Sequence, residues 1–290
     1  VLSGAVGWRL SRAIASPLRR LTAAAAAVAG GQLDQRVPVS SRDELGRLSQ
    51  TFNEMTARLR AARKMQVDFV ANVSHELRTP LTAIKGLVET LRDGAVHDPQ
   101  VRDRFLETVN GETDRLIRLV NDLLVLSRAD SEALNLHRDS VDLAQLVRDT
   151  VSRLAPQAEA RGLVWQVETS PDSLLVWADP DRIEQVLVNL VDNAIKYSQP
   201  GGTVTVTVGG EQGQPARVQV QDQGVGIPAE DLARIGQRFY RTDKARSRAR
   251  GGSGLGLAIA QALVQAHGGR LWLESQEGQG TLVTLTLPSA

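Results

Sequence analysis

The first half of the chain carries apolar residues at the three- and four-residue spacing of an amphipathic helix. These residues are Leu45, Leu48, Phe52, Met55, Leu59, Ala62, Phe69, Val73, Leu77, Leu81, Ile84, Val88 and Leu91. Such a seam is typical of helices that pair in a parallel coiled coil. The pattern predicts one long helix whose apolar stripe is covered by a second copy of the chain.

A second periodic run follows a break at Asp93, Gly94 and the Asp98-Pro99 pair. Its apolar residues are Phe105, Val109, Leu116, Leu119, Leu123 and Leu126. The break predicts a turn, so the two runs should form an antiparallel helical hairpin. Because two bare helices bury little apolar surface, we expect two hairpins to form a four-helix bundle across a two-fold axis.

A shorter helix is predicted upstream of the long one. It should begin at Pro17 and end at Gly30 and Gly31, and residues 32–42 read as an extended connector around Val37. Two helices joined in this way must also bury their apolar stripes by dimerisation.

From about Leu136 the pattern changes to short β-rich runs that alternate with helical ones. Strands are predicted at 163–168, 174–177, 203–208, 217–221, 270–274 and 281–287, and helices at 142–160, 180–197 and 254–267. This alternation, with glycine-rich turns, predicts an α/β sandwich. The fold class is therefore an all-α coiled-coil and four-helix-bundle dimer half followed by an α/β sandwich, with a polar linker at 131–140.

The amino-acid composition excludes several kinds of functional site. The chain of 290 residues has no cysteine, which excludes disulfides, thiolate metal sites and cysteine nucleophiles. Its net charge of +1 argues against a dedicated nucleic-acid binder. The apolar residues 1–8 followed by Arg9 and Arg12 are typical of the cytoplasmic end of a transmembrane helix, so we expect a membrane segment upstream of Val1.

Three segments could carry chemistry. The first places His75, Glu76, Thr79 and Pro80 within the long predicted helix, where a neutral imidazole beside a carboxylate can act as a nucleophile. A lone helical histidine is most often a solvated surface residue, but this combination is a less common accident. Pro80 should bend or weaken the helix just after the histidine.

The second segment, 189–197, closes a predicted helix with Asn189, Asn193 and Lys196 at spacings of four and three. Amide oxygens suit Mg²⁺, and a lysine beside them can neutralise phosphate charge. A polar helix end without a ligand explains the same residues about as well.

The third segment combines two glycine-rich stretches, 222–228 after a strand and 251–257 before a helix. Glycines permit close backbone approach, and a helix beginning near Gly254 would direct its N–H groups at an anion. Neither stretch is a dinucleotide fingerprint or a P-loop. The segment between them is rich in cations, namely Arg238, Arg241, Lys244, Arg246, Arg248 and Arg250. Such a run is most often a solvated loop, but its place between two glycine-rich stretches favours a mobile lid that closes over a polyphosphate.

In this order, the segments at 75–80, 189–197, 222–227, 238–241 and 252–257 resemble those of a bacterial sensor histidine kinase of a two-component system. Residues 9–62 resemble a HAMP signalling linker. The resemblance implies a dimerisation and phosphotransfer hairpin at 63–130 and a catalytic ATP-binding domain with the Bergerat fold at 141–290.

The resemblance also implies a role for each matching residue. His75 would be the nucleophile that attacks the γ-phosphate of ATP, and Glu76 would be the base that polarises the His75 imidazole. Thr79 would serve dephosphorylation of the partner. Asn193 would hold Mg²⁺. The remaining ATP-binding residues would be Asn189, Lys196, Tyr197, Asp222, Gly224, Gly226, Ile227, Phe239, Arg241, Gly252, Gly254, Leu255 and Gly256.

The chain departs from the family pattern at Gln223, where asparagine is usual, and at Gly236 and Gln237, where an aromatic residue and an acid are usual. The second departure bears on how the lid packs against the hairpin.

The expected partners are a second copy of the chain and the receiver domain of a response regulator, which would dock near Lys85 and Arg92. The expected location is the cytoplasmic portion of a bacterial inner-membrane protein. Two other functions stay open, a mechanical ATPase or clamp with the same pocket, and a degenerate kinase that acts as a scaffold or phosphatase.

Overall fold

The computed structural model describes residues 14–39, 41, 43–131, 133–210, 214–242 and 252–289, so the predicted membrane-proximal segment 1–8 lies outside the described residues. The chain divides into two compact units, 1–75 and 76–290. The described helices include none that is long and apolar enough to cross a membrane.

The described N-terminal part is helical. Its elements are α1 (Ser16–Ala29), α2 (Glu44–Arg92), a 3-10 turn (Ala95–His97) and α3 (Pro99–Asp130). Helix α2 continues through Pro80 as a single helix, although the sequence predicted a weak point there. Asp98 caps α3 because its carboxylate accepts hydrogen bonds from the backbone N–H groups of Gln100 and Val101.

Within residues 14–75, the connector before α2 packs along that helix. The backbone N–H of Val37 donates to Asn53 Oδ1 at 2.9 Å, and Asn53 Nδ2 donates to the carbonyl of Val37 at 2.8 Å. Val37 and Phe52 are buried beside this pair. The connector is therefore held to the helix in one register.

The C-terminal part is the α/β sandwich that the pattern predicted. It contains β1 (Asp139–Asp142), α4 (Leu143–Glu159), β2 (Val164–Ser170), β3 (Leu175–Ala178), α5 (Pro180–Tyr197), β4 (Thr203–Gly209), β5 (Ala216–Asp222), α6 (Ala229–Leu232), α7 (Gly256–Ala266), β6 (Arg270–Gln276) and β7 (Gly280–Leu287). We call residues 139–289 the lobe.

The main sheet has the strand order β2-β4-β5-β7-β6, with β2 parallel to β4 and the other pairs antiparallel. Helices α4, α5 and α7 contact this sheet. Alternation explains the burial of β4, because Val204, Val206 and Val208 are fully buried whereas the threonines between them are not. The core therefore lies between the helices and one face of the sheet.

Strand β1 was not predicted and begins within the predicted linker at Asp139. It pairs antiparallel with β3, so that Asp139 lies opposite Ala178. His137 donates its backbone N–H to the Asp179 carboxylate at 2.9 Å, and Arg138 donates to the carbonyl of Ala266 at 2.9 Å. The chain leaving the hairpin is thus bonded to the lobe before β1 begins.

The C-terminal half of α3 packs into the lobe. Leu119, Val125 and Leu126 are buried in the same apolar cluster as the lobe helices, with Leu123 partly buried against it. The sequence predicted that these leucines line the hairpin seam. A heptad pattern marks an apolar stripe, but it does not identify the element that covers the stripe.

Candidate active site

A cavity of about 790 Å³ lies within the unit 76–290, a volume typical of small-molecule sites. Helix α3 forms one wall, and α5, the ends of β5 and β7 and the two glycine-rich stretches form the others. The predicted site residues that line it are Glu76, Asn189, Asn193, Lys196, Tyr197, Asp222, Gly226, Ile227, Arg241, Gly252, Gly254 and Gly256. Residues far apart in the chain therefore meet around one space.

Helix α5 presents a polar face to this cavity and an apolar face to the core. Its start is fixed by Asp179, whose carboxylate accepts the backbone N–H of Arg182 at 3.1 Å. On the polar face, Asp192 and Lys196 form an ion pair. Asn189 Nδ2 is buried, and no hydrogen-bond partner for it exists among the described residues. A buried amide without a partner is what a bound ligand would satisfy.

Asp222 ends β5 and is only 7% exposed. Its Oδ1 accepts hydrogen bonds from the backbone N–H groups of Gly224 at 2.8 Å and Thr281 at 3.2 Å. Burial raises the pKa of this carboxyl to about 6, and the two backbone N–H groups act in the opposite direction. A carboxylate fixed in this way can accept a hydrogen bond from an exocyclic amine.

Two glycines are required by geometry. Gly226 has a φ of +62°, and a Cβ there would lie 2.0 Å from the carbonyl oxygen of Gln276. Gly254 has a φ of +74°, and a Cβ there would lie 2.9 Å from the backbone of Phe239. Both positions therefore exclude other side chains and bring bare backbone to the cavity wall.

Helix α7 begins at Gly256, slightly later than predicted, and its first turn lies at the cavity. Its N-terminal N–H groups can bind an anion there. The side chain of Leu255 is fully buried in the core, so this residue can contribute to the site only through its backbone.

Gly224 and Phe239 are also outside the cavity lining. Gly224 acts through its hydrogen bond to Asp222, and Phe239 packs against the core with a φ of +61° while its N–H donates to the carbonyl of Gly254 at 3.0 Å. Arg238 pairs with the Asp130 carboxylate at the end of α3. The predicted lid residues Lys244, Arg246, Arg248 and Arg250 lie outside the described residues.

The hairpin contributes the other wall of the cavity. Glu76 lines it and pairs with Arg115 of α3 at 3.5 Å, and Arg115 also approaches Glu112 at 3.6 Å. His75, the preceding residue in the chain, is exposed, and so is Thr79. An exposed imidazole can be reached by a reacting group.

Sequence reasoning missed three charged cavity residues on α3. These are Arg115, Arg118 and Asp122. Burial raises the pKa of Asp122 to about 6, and the charge of Arg118 acts in the opposite direction. Their spacing of three and four was a visible signal of a shared helix face. The signal did not show that this face lines the cavity, because that depends on how α3 packs.

Three domain families match the chain. Residues 9–61 match the HAMP domain, residues 65–132 match the His Kinase A (phospho-acceptor) domain, and residues 178–290 match the family described as histidine kinase-, DNA gyrase B-, and HSP90-like ATPases.

The chain is similar to named proteins over most of its length. It is 46% identical to the sensor histidine kinase WalK of Bacillus subtilis over 76% of this chain and 36% of that protein. It is 36% identical to the signal transduction histidine-protein kinase BaeS of Escherichia coli over 99% of this chain and 61% of that protein. The chain thus spans between about a third and three fifths of these relatives.

A solved structure shares the fold. The histidine kinase ThkA, in complex with the response regulator protein TrrA, aligns with a TM-score of 0.60 at 26% identity, covering 82% of this chain and 66% of that chain.

Proposed function

We propose that this chain, which belongs to the bacterial two-component sensor histidine kinases, transfers the γ-phosphate of ATP to His75. One observation carries the proposal. The cavity that gathers the asparagine and glycine segments is also lined by Glu76, the residue that follows His75 in the chain. Nucleotide-type binding elements and the neighbour of a candidate nucleophile are thus found at one place.

The lobe residues fit ATP. The buried Nδ2 of Asn189 needs an acceptor, the first turn of α7 offers N–H groups to phosphate, and Asp222 can accept from the adenine amine. Lys196 lines the same cavity and can neutralise phosphate charge. Together these features fit the phosphates and the adenine of the nucleotide.

The donor set also fits Mg²⁺. The described residues contain no cluster of three or more His, Asp or Glu side chains that could hold a metal ion. The amide oxygen of Asn193 would therefore share the ion with phosphate oxygens, which is how Mg²⁺ is usually held beside nucleotides. When bound, Mg²⁺ would neutralise the phosphates and align them.

The histidine then acts as nucleophile. A nitrogen of the His75 imidazole forms a bond to the γ-phosphorus, the bond from that phosphorus to the bridging oxygen breaks, and ADP leaves. Glu76 would hold the proton of the other ring nitrogen and stabilise the positive charge that develops on the ring. Such a reaction requires mainly positioning and charge neutralisation from the protein.

The proposed partners follow from the same scheme. Phosphohistidine would pass its phosphate to an aspartate of a response regulator. In the opposing phosphatase reaction, Thr79 would orient a water that attacks the aspartyl phosphate and releases inorganic phosphate. Exposed apolar residues on the hairpin, such as Leu81 and Ile117, support a homodimer. The match of residues 9–61 to the HAMP domain supports a place on the cytoplasmic side of the inner membrane, with a membrane segment upstream of Val1.

The test is incubation with ATP labelled at the γ-phosphate. We expect protein-bound label that is lost in acid and retained in base, which distinguishes a kinase from a clamp ATPase or a scaffold. His75→Gln should abolish the label while nucleotide affinity is kept. His97→Gln, at an exposed histidine in the hairpin turn, is the matched control and should label normally. Label retained in His75→Gln would refute the assignment.

A further inference from the structure

Three charged residues of α3 face the nucleotide-type cavity. Arg115, Arg118 and Asp122 line it together with Leu119, and their spacing places all four on one side of the helix. This wall belongs to the hairpin, whereas the asparagine and glycine segments belong to the lobe. The cations that line the cavity therefore come from both the hairpin and the lobe.

The cations differ in what already neutralises them. Arg115 pairs with Glu76 and Glu112, and Lys196 pairs with Asp192. Arg118 is exposed and forms no salt bridge with any described residue. The charge of Asp122 also acts on Arg118, but no salt bridge joins the two. The N–H groups of Arg118 are therefore more accessible to an anion than those of Arg115 and Lys196.

The negative charge around the cavity favours a cation that can bind phosphate. The described lining contains more carboxylates than cations, among them Asp122, Asp192 and Asp222. A bound triphosphate adds further negative charge. A guanidinium can meet two phosphate oxygens at once because of its planar, forked geometry.

We infer that Arg118 contacts the phosphoryl group during its transfer, and this inference rests on the proposed kinase function. Because Arg118 is on the hairpin rather than the lobe, it adds a contact at the hairpin side of the γ-phosphate, where the new bond to nitrogen forms. Its N–H groups donate to the equatorial oxygens while the bond to ADP breaks. No proton or electron is exchanged with Arg118.

The experiment compares Arg118→Ala, Arg118→Lys and Arg104→Ala in the full chain. Arg104 is an exposed arginine of α3 that does not line the cavity. For each protein we would measure the rate of His75 labelling at saturating ATP, the Kd of a non-hydrolysable ATP analogue, and the rate at which phosphorylated chain returns its phosphate to added ADP.

For Arg118→Ala we expect a labelling rate lower by roughly 100-fold, as found when a charge-stabilising donor is removed. The return of phosphate to ADP should fall by the same factor, because both directions share one transition state. The Kd of the analogue should stay within a factor of two. Arg118→Lys should recover part of the rate, and Arg104→Ala should match the parent chain.

Two results would overturn the inference. One is an unchanged labelling rate in Arg118→Ala. The other is a weakened Kd with an unchanged rate at saturation, which would make Arg118 a residue of ground-state binding only. Absence of acid-labile label in the parent chain would instead refute the proposed function itself, so the two failures are distinguishable. An unchanged thermal unfolding temperature and an unchanged oligomeric state in each variant would exclude an indirect effect of misfolding.

Discussion

The lobe and the hairpin differ in how far their apolar side chains are buried. In the lobe, the valines of β4 and the leucines of α5 are almost completely buried within the chain itself. On the hairpin, Leu81 of α2 and Ile117 of α3 are each 54% exposed. The core of the lobe is thus covered within the chain, partly by α3, whereas the hairpin exposes an apolar stripe that another surface can cover.

Helix α3 belongs to both regions. Its residues Leu119 and Leu126 are buried against the lobe, whereas Ile117, Val120 and Leu124 of the same helix are exposed. Two apolar stripes on one helix allow it to serve two interfaces. The comparison therefore predicts different consequences for substitutions that are close in sequence.

The largest effect is expected at the exposed stripe. Ile117→Glu places a charge on the face that we propose is covered by a second copy, so the dimer should dissociate to monomers at micromolar concentration because a buried unpaired charge is costly. Leu175→Glu is the matched control, since Leu175 is 55% exposed but lies on β3 of the lobe. Light scattering after size-exclusion chromatography measures both. A dimeric Ile117→Glu protein would contradict the proposed interface.

The next effect concerns the closed core. Leu187→Ala removes a side chain that is 1% exposed in α5, so the free energy of unfolding of the lobe should fall by about 2–5 kcal/mol. Urea unfolding followed by circular dichroism provides the measurement. The oligomeric state should not change. A loss below about 1 kcal/mol would show that the core around α5 is looser than described.

A smaller effect is expected at the polar face of α5. Asn193→Ala should weaken the Mg²⁺-dependent binding of a non-hydrolysable ATP analogue by roughly 10- to 100-fold, the usual result of losing one group at a metal site. Titration calorimetry with and without Mg²⁺ separates this effect from general loss of affinity. Asn110→Ala, at an exposed asparagine of α3, is the control. Equal Mg²⁺ dependence in the parent and in Asn193→Ala would contradict the proposed role of Asn193 in holding Mg²⁺.

The smallest effect is on pH dependence. Because the pKa of Asp222 is raised to about 6, this carboxyl is ionised above that pH and becomes protonated below it. The ionised form accepts a hydrogen bond from an amine more strongly, so affinity for the ATP analogue should fall severalfold between roughly pH 7 and pH 5.

Asp122 also has a pKa of about 6 and lines the same cavity, but its protonation should act with the opposite sign, since it removes a negative charge facing the phosphates. Asp222→Asn should abolish the fall in affinity at low pH, and Asp122→Asn should make it steeper. The reverse pattern would exchange the two assignments.

Much of the lobe was predictable because its signals are local. Alternation located β4, and Pro180 at a helix start with Tyr197 at its end located α5 correctly at both ends. The glycine stretches were visible because only glycine tolerates the backbone at Gly226 and Gly254. These patterns reflect conformations of the nearby backbone, which single sequences encode directly.

What depends on tertiary contacts was not predictable. Strand β1 is too short to be recognised before its pairing with β3 is known. The leucines of α3 that pack into the lobe look like seam residues in the sequence. In the sequence, Arg118 cannot be told from an ordinary surface arginine, and only the packing of α3 brings it to the cavity.

The strand order of the main sheet has a consequence for synthesis. Strand β7 is the last described strand in the chain, yet it lies between β5 and β6 and supplies the Thr281 backbone N–H to Asp222. Until residue 287 has left the ribosome, β6 lacks its only described partner strand, β5 is paired with β4 alone, and the Asp222 carboxylate lacks one of its donors. The helix that carries His75 is thus synthesised well before the strand that completes the cavity wall.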